Sequence, residues 1–350
     1  MTTDQPIHVP SRVLDQFTHQ VLEGLGVPLN DAITAAGVLG QANLRGVDTH
    51  GIELLPGYVS RIKQGTVKTK PRIKVLKEGV ATMVIDADQS LGQISSRFAM
   101  QQAINKALLS GIGWVNVVNS NDHGALAYYS LMAAEQEMIG IVTTTTSSCM
   151  APWGSREPLV GNNPLAIAAP CNNHEPLVLD MATSLLANSR VRLARDRSEP
   201  VPEGLSIDSQ GNPNSDPDRS AALLPVGGYK GSGLAMMLGI LSGVLAGAPF
   251  TGYPGGRVGG EASELSHLMI AVSIEQFTDL EGFKDSVDRI IDAWHRSDTR
   301  PGFDEIYVPG EIEWRRVPDR EANGIPVSGT LAAKLSKIAE ELELDWPPRD

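Results

Sequence analysis

ATMVIDADQSLGQISSRFAMQQAINKALLSGIGWVNVVNS, residues 81–120, is the stretch on which the fold turns. ATMVID (81–86) is a short apolar run that reads as a strand. Residues 92–109 read as a helix, and GWVNVVNS (113–120) reads as a second strand. A strand, a helix and a strand in succession form the unit of an α/β sheet. The same rhythm continues downstream. A helix is expected at about 125–137, and strands at MIGIVTTTT (138–146), PLAIAAP (164–170), PLVLDMA (176–182) and HLMIAVSI (267–274). The last should lie centrally. The expected fold class is therefore α/β with a mixed, mostly parallel sheet.

Upstream, SRVLDQFTHQVLEGL (11–25) carries apolar residues at helical spacing: Val13, Leu14, Phe17, Val21 and Leu22. Further helices are expected at 29–44 and 54–62, with His50 in the turn between them. Residues 282–297 read as an amphipathic helix and 329–344 as a terminal one. Two units follow: a helical layer over 1–75, with 315–350 packed on it, and an α/β unit over 76–314. Residues 195–228, dense in Pro, Gly, Asp and Asn, read as a solvated connection, and 252–260 as a glycine-rich loop. GLAMMLGILSGVLAGAPF (233–250) is uncharged but short and glycine-rich for a membrane span, so a buried core helix is expected.

The chain has 350 residues, 41% of them hydrophobic, enough for a large core. Its net charge of −12 disfavours nucleic acid or an anionic membrane as partner. Two cysteines without a Cys-x-x-Cys pair, and no apolar signal segment, make a cytoplasmic location the expectation. No metal-ligand spacing is present, so no metal is expected. The nucleophile elbow, the dinucleotide fingerprint G-x-G-x-x-G and the Walker loop are also missing. A hydrolase ranks last on these grounds, and Cys149 reads as a packing residue.

Chemistry concentrates in two turns. RGVDTHGIELLPGY (45–58) and NSNDHGALAYY (119–129) each place a histidine before a glycine in polar surroundings. Imidazole titrates near pH 6.5, roughly, so one of the pair suits acid–base work. The same histidines also read as surface residues, with Asp122 capping the next helix and His123 incidental. Asp180 ends the run LVLD at the carboxyl edge of a strand, where α/β enzymes place ligands. It reads equally as a cap for the following ATS segment. In LPVGGYKGSGLAMM (224–237), Gly227, Gly228, Gly231 and Gly233 bracket Lys230 at a helix entry. Such an entry suits a phosphate, and tight packing accounts for it as well. Asn162 and Asn163 read as turn-stitching amides.

Together these pieces resemble the malate/L-lactate dehydrogenase family of NAD(P)-dependent oxidoreductases, which lacks the ordinary dinucleotide fingerprint. The resemblance runs from about residue 11 to 312. It is carried by GVDTHG (46–51), NDHGALAYY (121–129), PWGSREPLVGNNPLAIAAP (152–170), LDMATS (179–184), VPEGLSIDSQGNPNSDP (201–217), LLPVGGYKGSGLAMMLGILSGVLAGAPF (223–250) and VPGE (308–311). It implies a homodimer, NAD or NADP as cofactor, and a small carboxylic acid as substrate. It also implies that His50 donates the proton, with Thr49 beside it. His123 would stand near the nicotinamide as a second candidate acid or base, and Asp180 would orient a histidine or the cofactor. Ser147, Met181, Ala182, Thr183, Ser184, Tyr229, Lys230, Pro309, Gly310 and Glu311 would line the cofactor.

Three departures from the family pattern stand out. Thr49 replaces a serine and keeps the hydroxyl. Leu54 stands where relatives often carry a carboxylate-clamping arginine, so either Arg45 or Arg61 takes that role or the substrate is not a plain 2-keto acid. Ser189-Arg190 replaces a Gly-Lys pair. The leading expectation is hydride transfer between nicotinamide and a 2-hydroxy or 2-keto acid. The alternatives are a cyclic imino acid (C=N) reductase and a nucleotide-binding relative without turnover.

Overall fold

The computed structural model describes residues 6–250 and 264–346. In chain order the elements are β1 (Ile7–Val9), α1 (Ser11–Gly24), α2 (Leu29–Leu44), α3 (Leu55–Lys63), β2 (Lys74–Glu78), β3 (Thr82–Asp86), α4 (Gly92–Ser110), β4 (Ile112–Ser120), α5 (Ala127–Ala134), β5 (Met138–Thr144), β6 (Leu165–Ala169) and β7 (Leu177–Met181). After these come α6 (Asn188–Arg197), β8 (Ser206–Ile207), β9 (Pro213–Asn214), β10 (Ala222–Leu223), α7 (Tyr229–Ser242), β11 (Leu265–Ser273), α8 (Leu280–His295), α9 (Glu311–Asn323), β12 (Ile325–Val327) and α10 (Gly329–Glu341).

The main sheet has seven strands in the order β2-β3-β4-β11-β5-β6-β7. The α/β class holds, but the expected mostly parallel sheet is corrected: only β3 and β4 run parallel, and every other pair is antiparallel. The reason lies in the crossovers. Helices α4 and α5 do connect strands that point the same way. However, α5 carries the chain from β4 past one empty place to β5, and β11 later fills that place against both neighbours. Met269 of β11 faces Val115 on one side and Val142 on the other. A connecting helix fixes strand direction and leaves adjacency open. The expected central position of 267–274 is the observed one, and β11 is buried along nearly its whole length.

Side-chain alternation divides the sheet's two faces. Gly113 of β4 and Gly140 of β5 point toward α4 and α5. A Cβ on Gly113 would lie 1.8 Å from the Ala103 carbonyl oxygen, and one on Gly140 would lie 2.2 Å from that of Ser130. Both helices thus rest backbone-close on the sheet. Met83, Ile85, Ala99, Ala103, Val115, Val142 and Met269 fill the core between. On the opposite face, Asn116 donates to the Leu241 carbonyl at 2.8 Å and ties down α7.

The helical layer has its own core. Leu14, Phe17, Val21, Leu39, Leu55 and Tyr58 pack with Ile325, Val327, Leu331 and Leu335 from the C-terminal region, and β1 pairs with β12. Within this layer the Asp15 carboxylate presses against Gly40 of α2.

Two expectations are revised. The connection at 195–228 contains the end of α6 and a small three-stranded sheet, β10-β8-β9. The stretch 233–250 is not a core helix on all sides. Gly231, Ala235, Leu238, Gly239 and Ser242 are buried, whereas Leu234, Met236, Met237, Val244 and Leu245 are exposed. Its entry is tightly packed at Gly231, where a Cβ would lie 2.2 Å from the Val226 carbonyl. The loop expected at 252–260 lies outside the described residues.

Candidate active site

The loop after α2 carries His50 in two short 3-10 turns, Asp48–His50 and Ile52–Leu54. Asn43, buried in the last turn of α2, holds it from inside. Its amide donates to Asp48 at 2.9 Å and its carbonyl accepts from the Ile52 backbone at 2.8 Å. From outside, Arg320 of α9 grips Asp48 with two hydrogen bonds of 3.1 and 2.9 Å, and Arg316 donates to the Gly46 carbonyl. The Thr49 hydroxyl lies 3.1 Å from His50 Nδ1. That contact fixes the ring and leaves Nε2 for other work.

His123 occupies the turn between β4 and α5 and is only 2% exposed. Its Nδ1 meets the Ser96 hydroxyl at 3.0 Å, while Nε2 has no partner. The ring is stacked between Tyr129 (5.1 Å) and His267 of β11 (4.2 Å). Burial first, then the nearby charge of His50, lowers its pKa to about 3. His123 is therefore neutral at working pH. Asp122 accepts from the Tyr58 hydroxyl at 2.6 Å and from the Gly124 amide at 3.2 Å. It closes the turn and ties it to α3, and it does not cap α5.

That cap comes from elsewhere. Asp180, at the end of β7, accepts from the Ala127 amide at 2.8 Å, at the start of α5. It caps this helix across the fold and not the ATS segment that follows it in sequence. Its carboxylate remains open to the cavity. Enclosure by protein raises its pKa, opposed by the Ala127 amide, His50 and Arg45.

These groups meet in a cavity of about 1430 Å³, whose wall includes Thr49, His50, His123, Ser147, Asp180, Met181, Ala182, Pro309 and Gly310. The other expected cofactor residues lie off that wall. Thr183 and Ser184 are buried behind it, and their hydroxyls bond the carbonyls of Asn162 and Leu186. Tyr229 and Lys230 are exposed at the start of α7. Glu311 is engaged by His295, Arg315 and the Val308 amide. Asn162 and Asn163 stitch the Thr146 loop to α7, as turn amides should.

Sequence reasoning missed Asn43, Arg320 and His267, and it named Ser189 only as a departure from the family pattern and not as part of a helix entry. Arg320 stands 272 positions from its partner Asp48, a separation no local pattern reports. The α6 entry places Asn188, Ser189 and Arg192 on the cavity, and the buried Ser189 hydroxyl oxygen has no partner. Amides at a helix start, a free hydroxyl and a cation suit phosphate oxygens. At Gly310 (φ +86°) a Cβ would lie 2.9 Å from the Val178 carbonyl, so only glycine fits that wall. Small-molecule sites run to roughly 300–1,000 Å³, so this cavity has room for a dinucleotide and a small substrate together.

A wall that can move one proton and hold a ligand larger than a metabolite is the working arrangement of a cofactor-dependent oxidoreductase. The chain belongs to the malate/L-lactate dehydrogenase family, whose sequence profile matches residues 9–336. It is similar to malate dehydrogenase of Pyrococcus horikoshii, 37% identical over 349 residues, covering 97% of this chain and 96% of that one. The structure of that enzyme matches with a TM-score of 0.91 over 99% and 98% of the two chains. L-sulfolactate dehydrogenase of Methanocaldococcus jannaschii is 39% identical over 327 residues, covering 93% and 94%, and its structure matches with a TM-score of 0.89. A Δ1-pyrroline-2-carboxylate/Δ1-piperideine-2-carboxylate reductase of Pseudomonas putida is 32% identical over 265 residues, covering 73% and 78%. The family consists of NAD(P)-dependent dehydrogenases and reductases acting on CH–OH or C=N groups.

Proposed function

We propose that this protein interconverts a small 2-hydroxy acid and its 2-keto acid with NAD or NADP, and that His50 carries the proton. The observation behind this is the division of labour between the two histidines. His123 is buried and neutral, whereas His50 stands half-buried in the cavity wall with Nδ1 held by Thr49. A bound nicotinamide supplies or accepts the hydride at the substrate carbon. In reduction the C=O electron pair moves to oxygen, and that oxygen takes a proton from His50 Nε2. Oxidation returns the proton to the same nitrogen. Asp180 stands in the same wall with its carboxylate held by the Ala127 amide, and Ser147, Met181, Ala182, Pro309 and Gly310 offer the surface for the cofactor.

The test follows reduced-nicotinamide absorbance with NADH or NADPH against 2-keto acids, diketo acids and cyclic imines, then in reverse with 2-hydroxy acids. Turnover of a keto acid is expected, and His50→Ala should lower kcat by about 10²–10⁴-fold with cofactor binding retained. Near-normal turnover in that variant would remove His50 from the reaction. Exclusive turnover of imines would select the C=N reading, which the similarity to the Pseudomonas reductase keeps in view. Cofactor binding without turnover of any substrate would select the non-catalytic relative.

The exposed aliphatic face of α7 supports a homodimer. An uncharged helix face is complementary to its own copy, and a two-fold pair would cover both at once. Free Cys149 and Cys171 support a reducing, cytoplasmic location.

A further inference from the structure

We infer that Arg45 is the residue that grips the substrate's carboxylate, replacing the arginine that Leu54 does not supply; this rests on the dehydrogenase reading above. Arg45 follows the last turn of α2 and stands in the cavity wall with His50 and Asp180. It is only 3% exposed, yet its Nη1 has no hydrogen-bond partner. Proteins seldom strip a guanidinium of water without giving it a partner, because the desolvation is costly. Its face is already used: the guanidinium carbon lies 4.2 Å above the Trp314 ring. Trp314 is itself fixed, its Nε1 donating to the Pro176 carbonyl at 2.9 Å. Stacking occupies the plane of the group and leaves its edge donors, the geometry a carboxylate accepts bidentately.

Glu313, Asp180 and Glu175 act on Arg45 through space and favour its charge against the effect of burial. Among the described residues none of them forms an ion pair with it. Arg61, the other cation considered for this role, lies over the Tyr58 ring at 5.1 Å and is only partly buried. Water already solvates it, so a carboxylate gains less there.

The experiment measures binding of oxamate, a non-reducible analogue of a 2-keto acid, to the NADH-loaded protein by tryptophan fluorescence. NADH binding is measured separately by nicotinamide fluorescence. Arg45→Gln should weaken oxamate about 100-fold and leave NADH binding unchanged. Arg61→Gln should change oxamate binding by no more than about threefold. Arg45→Lys keeps the charge and loses the fork, and should fall between, near tenfold. Leu54→Arg in the Arg45→Gln background should recover at least about tenfold. Unchanged oxamate binding in Arg45→Gln, a loss confined to Arg61→Gln, or parallel loss of NADH and oxamate would overturn the assignment. If Arg45→Gln does not fold, Arg45→Lys decides: full oxamate affinity there excludes bidentate gripping. Turnover of an uncharged substrate with intact NADH binding would overturn Arg45 and leave the oxidoreductase reading standing.

Discussion

Asp15 carries a carboxyl group in the wrong solvent. It stands half-buried on α1 with its carboxylate against Gly40 of α2, and burial raises its pKa to about 7. Its folded pKa lies above the unfolded value of 3.8, so the folded state holds the proton more tightly. The stabilisation is complete below pH 3.8 and is lost as pH rises through about 7, to a limit of about 4 kcal/mol. Asp15→Asn should therefore raise the melting temperature at pH 8 by several degrees and change it little at pH 4. Equal shifts at both pH values would show that the carboxyl does not titrate with folding. His123 and His267 act in the opposite sense. Their folded pKa values are depressed by burial, so they withdraw stability as pH falls below about 6.5. At this scale the sequence was informative wherever a residue closed an element. His50, His123 and Asp180 all stand at turn or strand ends and meet at one cavity. The partners that give them their properties were not legible. His267 reads as one more residue of a central strand, and only the β11 register sets its ring on His123.

Among the elements, close approach of helix backbone to sheet decides more than apolar area does. Gly113 has no room for a methyl group against the Ala103 carbonyl, and backbone cannot step aside as a flexible side chain can. Gly113→Ala should destabilise the fold by about 1–3 kcal/mol, or prevent folding, as read by urea denaturation. A loss under about 0.5 kcal/mol would mean that α4 shifts freely on the sheet. The alternation of strands and helices was visible from residue 81 onward, and it gave every strand of the sheet from β3 to β7. It gave β11 a central place but not its neighbours β4 and β5, because hydrophobic period reports which face a residue uses and not which strand lies beside it. Helix α9 also escaped notice. EIEWRRVPDREAN has Pro318 inside it and no buried residue, so no apolar stripe marks it. Its arginines hold the His50 loop, and that role leaves no periodic trace.

For the molecule as a whole, an apolar surface among the described residues lies on α7 and its extension: Met236, Met237 and Leu245 are 52%, 53% and 60% exposed. Met237→Glu places a charge in that face. If a second copy covers it, the wild type should sediment at twice 37.4 kDa and the variant at 37.4 kDa. A monomeric wild type, or a variant that remains dimeric, would place the contact elsewhere.

The grip of Arg320 on Asp48 also orders events in time. The histidine loop is synthesised within the first fifty or so residues, yet its outer clamp is made only when residue 320 follows. A nascent chain halted before α9 would contain every strand of the seven-stranded sheet and both histidines. It would still lack the fastening that sets His50 in place. On the proposed reading of His50, competence for the reaction arrives near the end of synthesis, after the strands of the scaffold have been made.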